Sequence, residues 1–192
     1  MNARVILTGI AFVTLVATGC ATSNSVKAKP LALESRSVNL ARYDRAVIQP
    51  FEFPGRTMEE RNAGQVFANS LERRLENDFG PLFREVRQGE PTGASDEVVI
   101  TGRIDEYRPG SRAGRMFIPW GPRAALKGEL IVKDSATGDR LMVAPFDKLW
   151  GWAGGVGAAK DIDDMVAETT AAAANTIARA RGWEPSQTAR RN

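Results

Sequence analysis

The chain has 192 residues, 26 Lys and Arg against 23 Asp and Glu, a formal net charge of +3, no histidine and one cysteine. The two signs are interspersed, which excludes the basic footprint of a general nucleic-acid binder. Without imidazole or a spare thiol, the chain also lacks the groups for histidine acid–base catalysis, thiolate chemistry and soft metal sites.

Met1–Arg4 is a short positive segment, Val5–Thr18 is apolar, and Gly19-Cys20 follows directly. That order reads as an export signal over 1–19, too short for a membrane span, which needs roughly 20 apolar residues. The sole cysteine stands at its end, and "LVATGC" resembles a lipobox, with Ala17 where leucine is usual. The expectation is a mature chain beginning at a lipidated Cys20 and held on a membrane by more than one acyl chain. Ala21 and Thr22 follow the cysteine in place of the Asp common in lipoproteins of the inner membrane, which places the expected anchor in the outer membrane, facing the periplasm. Residues 20–42 are polar and without sustained period, and read as a flexible tether.

One domain is expected over 43–183. Arg45–Phe51, rich in β-formers, is the first strand. A capping box opens at Thr57 with Glu60, and Ala63, Phe67, Leu71, Leu75 and Phe79 then recur every fourth residue with Val66 beside them, an amphipathic helix over 57–79. Gly80-Pro81 ends it. Leu82–Arg87 alternates as a second strand, and Val98–Tyr107 as a third, with Val98, Ile100, Gly102 and Ile104 on one face. Ala125–Asp134 and Arg140–Trp150, joined by a Gly-containing turn, form an antiparallel hairpin. Asp161 caps a last helix to Ala180, with a small-residue inner face. The order β-α-β-β-β-β-α predicts an α+β, two-layer sandwich: a mixed sheet of about five strands, its first two parallel, with both helices on one face. Residues 184–192 read as a disordered tail.

Two segments invite chemistry. Between the third and fourth strands, Arg108, Arg112, Arg115 and Arg123 surround Phe117 and Trp120 in a frame of Pro and Gly. Such a loop suits a partner held by Arg and aromatic anchors, or an anionic headgroup. It suits equally a plain hairpin connection with Met116, Phe117 and Ile118 tucked into the core edge. The glycine cluster at 151–160 departs from a phosphate-binding loop, because Lys160 follows Ala159 and precedes Asp161. Asp161, Asp163 and Asp164 lack the glycine and distal glutamate of a calcium loop, and the positive end of the helix dipole accounts for them. No pair of carboxylates is marked for hydrolysis, so a non-enzymatic role without cofactor or metal is expected.

The blocks "YDRAVIQPFEF", "PLFREV", "TGRIDEYRPGSRAGRMF" and "LIVKDSATGDRL", in that order, resemble the bacterial lipoprotein family known as domain of unknown function 4410, over about Tyr43 to Ala180. Where that family alternates glycines, this chain has Pro119, Trp120, Gly121 and Pro122, which implies a stiffer loop. The resemblance implies an exported, membrane-attached domain and supplies no catalytic residues. The expected role is therefore binding or assembly with another envelope protein through the arginine loop. The alternative is a small-ligand or glycan binder lined by Trp120, Trp150 and Trp152.

Overall fold

The computed structural model describes residues 25–34, 38–54, 58–109, 124–150 and 162–184. The expected signal peptide, Cys20, the Thr57 cap, the two glycine-rich segments and residues 185–192 lie outside them.

A 3-10 turn at Ser25–Lys27 precedes β1 (Arg45–Ile48), α1 (Met58–Asn77), β2 (Glu85–Gln88), β3 (Glu97–Arg108), β4 (Ala124–Asp134), β5 (Arg140–Trp150) and α2 (Ile162–Ala180). The sheet order is β2-β1-β3-β4-β5. β1 is parallel to both its neighbours, and β3, β4 and β5 are antiparallel. This is the expected α+β sandwich. Because β2 and β3 flank β1 in the same direction, their eight-residue connection (89–96) must cross β1. It crosses on the face opposite the helices, where Thr92 donates its backbone N–H to Glu97 Oε1 at 2.7 Å. That crossing helps to explain why Val47, which points away from the helices, is fully buried.

Alternation sorts the strands. Ala46, Ile48, Val98, Ile100, Ile104, Leu126, Leu130, Val132, Met142, Ala144 and Phe146 meet the helices in one core. α1 supplies Ala63, Phe67, Leu71 and Leu75 at helical spacing, and α2 supplies Met165, Ala173 and Ile177. Val66, read beside the α1 stripe, is half exposed, since it lies a quarter-turn off the row that Phe67 and Leu71 define.

The centre of the core is an aromatic row. Phe67 lies 4.5 Å from Phe51 and stacks on Phe146 at 5.5 Å. The row rests on two sheet glycines: a Cβ on Gly102 would stand 2.2 Å from the Phe51 ring, and one on Gly128 would stand 2.8 Å from Phe146. Bare backbone at these points lets rings lie flat on the sheet. Phe51 itself explains why β1 is shorter than the expected Arg45–Phe51. Pro50 has no N–H to give, and Phe51 turns inward, after which Glu52 rejoins β3 through its N–H to Gly102 O (2.9 Å) and its carbonyl from Ile104 N (2.8 Å). Likewise β2 begins at Glu85, three residues later than Leu82–Arg87 suggested, because Leu82 and Phe83 are spent on the core instead of on pairing.

Most of the expected tether is held to the domain. Asn175 on α2 donates to Ala28 O (2.6 Å), Leu31 N donates to Thr176 Oγ1 (2.8 Å), Glu34 N to Val143 O on the β5 edge (3.1 Å), and Leu40 N to Ala180 O (2.8 Å). Leu40 is fully buried. Residues 25–34 and 38–42 thus form a strap over α2. No period marks it in the sequence because it binds chiefly through its backbone, to side chains far along the chain. The C-terminus of α2 closes on Gly182, at φ 89°, with Gly182 N bonded to Arg179 O and Trp183 N to Ala178 O, both 2.9 Å. That is a Schellman cap, and Trp183 packs edge-on against Phe79 at 5.0 Å.

Gly64 of α1 allows the helix to reach Phe51: a Cβ there would stand 1.9 Å from the Phe51 carbonyl oxygen. Gly→Ala in an exposed helix interior stabilises by about 1 kcal/mol. Here Gly64→Ala is expected to do the reverse, by ~1–3 kcal/mol, read as a lowered thermal midpoint. A raised midpoint would mean that α1 does not sit this close to Phe51.

Candidate functional site

Of the sequence-expected contact residues, only Arg108 is described; Arg112, Arg115, Phe117, Trp120 and Arg123 lie outside the described residues, as do Trp152 and the side chain of Trp150. The strand register nevertheless places their attachment points. Arg108 pairs with Ala125, and Ala124 with Trp150. The described residues that flank 110–123 and 151–161 therefore sit side by side at one end of the sheet. The expected antiparallel hairpin already implied that the two segments attach side by side, and the register fixes which residues flank them.

At that end the charges are partnered. Arg108 pairs with Glu106, which lies opposite Lys127, and Lys127 Nζ lies 3.7 Å from Asp147. Positive and negative alternate across three strands, so the described edge carries little net charge. Leu149 is exposed beside it. Farther along the same outer face, Gln49, Thr101, Arg103, Glu129, Ile131, Lys133 and Arg140 line a depression of about 150 Å³. Arg103 is held by Asp105 at 2.7 Å and faces Glu129 at 3.8 Å. Apart from the 89–96 crossing, no described element covers this face of β3, β4 and β5.

The opposite end of the sheet holds a cluster that resembles an active site more closely than the arginine loop does. Two carboxylates are buried there. Asp134 Oδ2 accepts from the Tyr43 hydroxyl (2.7 Å) and from Arg42 (2.9 Å), and its Oδ1 accepts from the backbone of Ala136 (2.8 Å) and Thr137 (3.1 Å). Glu97 Oε1 accepts from Thr92 N, Thr92 Oγ1 (3.1 Å) and Ser135 Oγ (2.7 Å), while its Oε2 takes Arg87 (3.1 Å). Beside them Arg45 and Asp96 pair at 2.5 Å.

The electrostatics decide what this cluster does. The hydrogen bond from Tyr43 chiefly, with the turn amides and Arg42, holds Asp134 below the usual carboxylate range against the opposing effect of burial. For Glu97, burial is the largest influence and would raise the pKa, but the donors from Ser135, Thr92 and Arg87 together outweigh it and the net direction is down. Burial raises Tyr43. A general acid needs the reverse, a carboxyl raised toward neutrality. All four carboxylate oxygens already accept bonds, so the cluster works as a clamp tying the start of β3 to the β4–β5 turn and to the entry of β1. Sequence reasoning missed it because its members, at 42–45, 92–97 and 134–135, meet only after the sheet forms.

A second concavity, of about 350 Å³, lies between the strap, α2 and β5, lined by Lys27, Ala28, Lys29, Lys148, Glu168, Ala171 and Ala172.

No family model matches the chain, and no curated protein matches it. Among solved structures, the PelC dodecamer from Paraburkholderia phytofirmans is similar at 16% identity and a TM-score of 0.54, over 74% of this chain and 93% of PelC. Protein XCC0632 from Xanthomonas campestris, of the DUF330 family, is similar at 11% identity over 76% of this chain and 86% of its own, with a TM-score of 0.44. The hypothetical protein CT253 from Chlamydia trachomatis is similar at 11% identity over 72% and 96%, with a TM-score of 0.41. At such identities the PelC likeness is one of fold.

The clamp makes a pH forecast. A carboxylate depressed in the folded state stabilises fully above its unfolded pKa, about 4.3 for Glu, and that stability is lost as pH falls through the folded value. Glu97→Gln is expected to cost ~1.5–3 kcal/mol at neutral pH, as for hydrogen bonds to a charged group. The cost should shrink as the pH falls below 4 in urea unfolding. A cost that stays constant from pH 7 to acid would show that the ionised form is not what stabilises.

Proposed function

We propose that the chain is a lipid-anchored envelope protein, held at Cys20 on the periplasmic face of the outer membrane, and that its domain is a non-enzymatic binding or assembly module for another envelope component. The observation that carries the contact surface is the adjacency of Arg108, Ala124 and Trp150 at one end of the sheet. Two segments rich in Gly, one of them also rich in Arg, adjoin neighbouring strand ends there, beside a sheet face that, among the described residues, only the 89–96 crossing covers. The short blocks of sequence support placing the chain in the lipoprotein family of domain of unknown function 4410. PelC, which shares the fold, is a dodecamer, so assembly with further copies is one form that the contact can take.

Two measurements test this. Cys20→Ala should move the protein from the membrane fraction to the soluble periplasm, and continued membrane association would overturn the anchor. Replacing Arg112, Arg115 and Trp120 together with Ala should abolish the cross-linked partner in intact envelopes and leave the stability within about 0.5 kcal/mol, as for surface residues. A matching drop in melting temperature would make the loop a structural connection. Retained cross-linking would move the contact elsewhere.

A further inference from the structure

The strap fixes where an anchor at Cys20 would leave the domain. Ser25 is fully buried. Its N–H donates to Asp78 Oδ2 at 3.3 Å, and its hydroxyl accepts from Arg74 Nη1 at 3.0 Å, both in the last turn of α1 or just past it. Arg74 also donates to Thr170 of α2 at 3.0 Å. The chain is therefore pinned at the seam between the two helices, on the layer opposite the bare sheet face. From Ser25 back to Cys20 is five residue steps, which reach at most about 18 Å when fully extended.

Within that reach lies the 350 Å³ groove. Lys27 and Lys29 come from the strap and Lys148 from β5, over a floor that includes Ala28, Ala171 and Ala172. Glu168 is the only acid among its lining residues, and none of the three lysines is in an ion pair among the described residues. Elsewhere among the described residues many cations face a carboxylate, Arg42, Arg45, Arg74, Arg87, Arg103, Arg108 and Lys127 among them. Lysine stems lie readily along an apolar floor while their ammonium groups reach outward, the geometry that meets lipid headgroups at an interface.

We infer that this lysine groove is the membrane-facing surface of the domain and takes the phosphate headgroups of anionic lipids, so that the lipid anchor and the groove together orient the protein with its bare sheet face away from the bilayer. The inference rests on the proposed lipidation at Cys20. Its occupant is a bilayer surface because the short reach from Cys20 brings these residues to one, and the charge is of the complementary sign. An anionic surface attracts one nearby lysine by roughly 1 kcal/mol, a factor of about five in local occupancy.

The test is lysine footprinting of the full-length protein with an amine-reactive reagent, after reconstitution into phosphatidylcholine vesicles with and without phosphatidylglycerol. Intact mass first establishes whether Cys20 carries acyl chains; an unmodified mass overturns the anchor and this inference with it. With the anchor present, Lys27, Lys29 and Lys148 are expected to react about fivefold more slowly on the phosphatidylglycerol vesicles. High salt should abolish the difference, and Lys127 on the bare sheet face should react alike on both. Equal reactivity of the three lysines on both vesicles would overturn the groove while leaving the anchor intact. So would protection seen only in native envelopes, which would assign the groove to a protein partner.

Discussion

The structure depends on one steric arrangement: the row of Phe51, Phe67 and Phe146 can lie on the sheet only where the sheet has no side chains. Gly102 and Gly128 supply that floor, and Gly64 lets α1 come down to the Phe51 backbone. The three glycines sit on α1, β3 and β4, and the rings come from the β1 exit, α1 and β5. A single close-packed contact therefore fixes the height of the helix above the sheet and the course of the chain out of β1. It also fixes the register of the central hairpin. Interiors packed to crystal-like density give little room for a methyl group at such points. The two sheet glycines, which look like weak points in strands, are where the core is tightest.

Much of this architecture was legible from the sequence because it follows from period. β3, β4 and β5 alternate cleanly and α1 and α2 carry helical stripes, so element order, the parallel β1–β2 pair and the shared helix face all follow. What was not legible depends on residues distant in sequence. The Glu97–Asp134 clamp draws on 42–45, 92–97 and 134–135, and no local pattern distinguishes its acids from the surface acids nearby. The strap was read as a tether because a segment bound through its backbone has no need of periodic side chains. One hint was present: Asn175 and Thr176 interrupt an otherwise alanine-rich α2, and both are spent on the strap. As for the candidate contact residues, the sequence singled out the arginines as a positive cluster. Of these, the described Arg108 is already paired with Glu106.

The two faces of the sheet then differ in kind. One is buried under helices and strap. On the other, opposite charges meet at Arg103–Glu129 and along Glu106, Lys127 and Asp147, while Lys133 stands opposite Arg140, and Val99, Thr101 and Ile131 are largely buried between the charged rows. A charged face of this kind is unattractive to stray strands. β5, the long edge strand, is partly covered where Glu34 bonds Val143, and farther along it carries Pro145, which has no N–H to offer. A face guarded in this way is suited to a partner that matches its charge pattern and resists indiscriminate stacking.

Arg181 joins the ends of the chain. Its guanidinium donates to Leu82 O at 2.7 Å and to Leu40 O and Ala41 O at 3.0 and 2.7 Å, and it stacks on Phe83 at 4.9 Å. The strap is thereby closed by a residue some 140 positions downstream of it. Contacts that bridge so much chain form late, since closing a long loop comes before any reward from the contact. While the chain is being made, the later part of the strap has no partner at its Leu31, Leu40 and Ala41 backbone until α2 and its final turn have emerged. The strap is thus the part of the domain whose closure waits for the last helix.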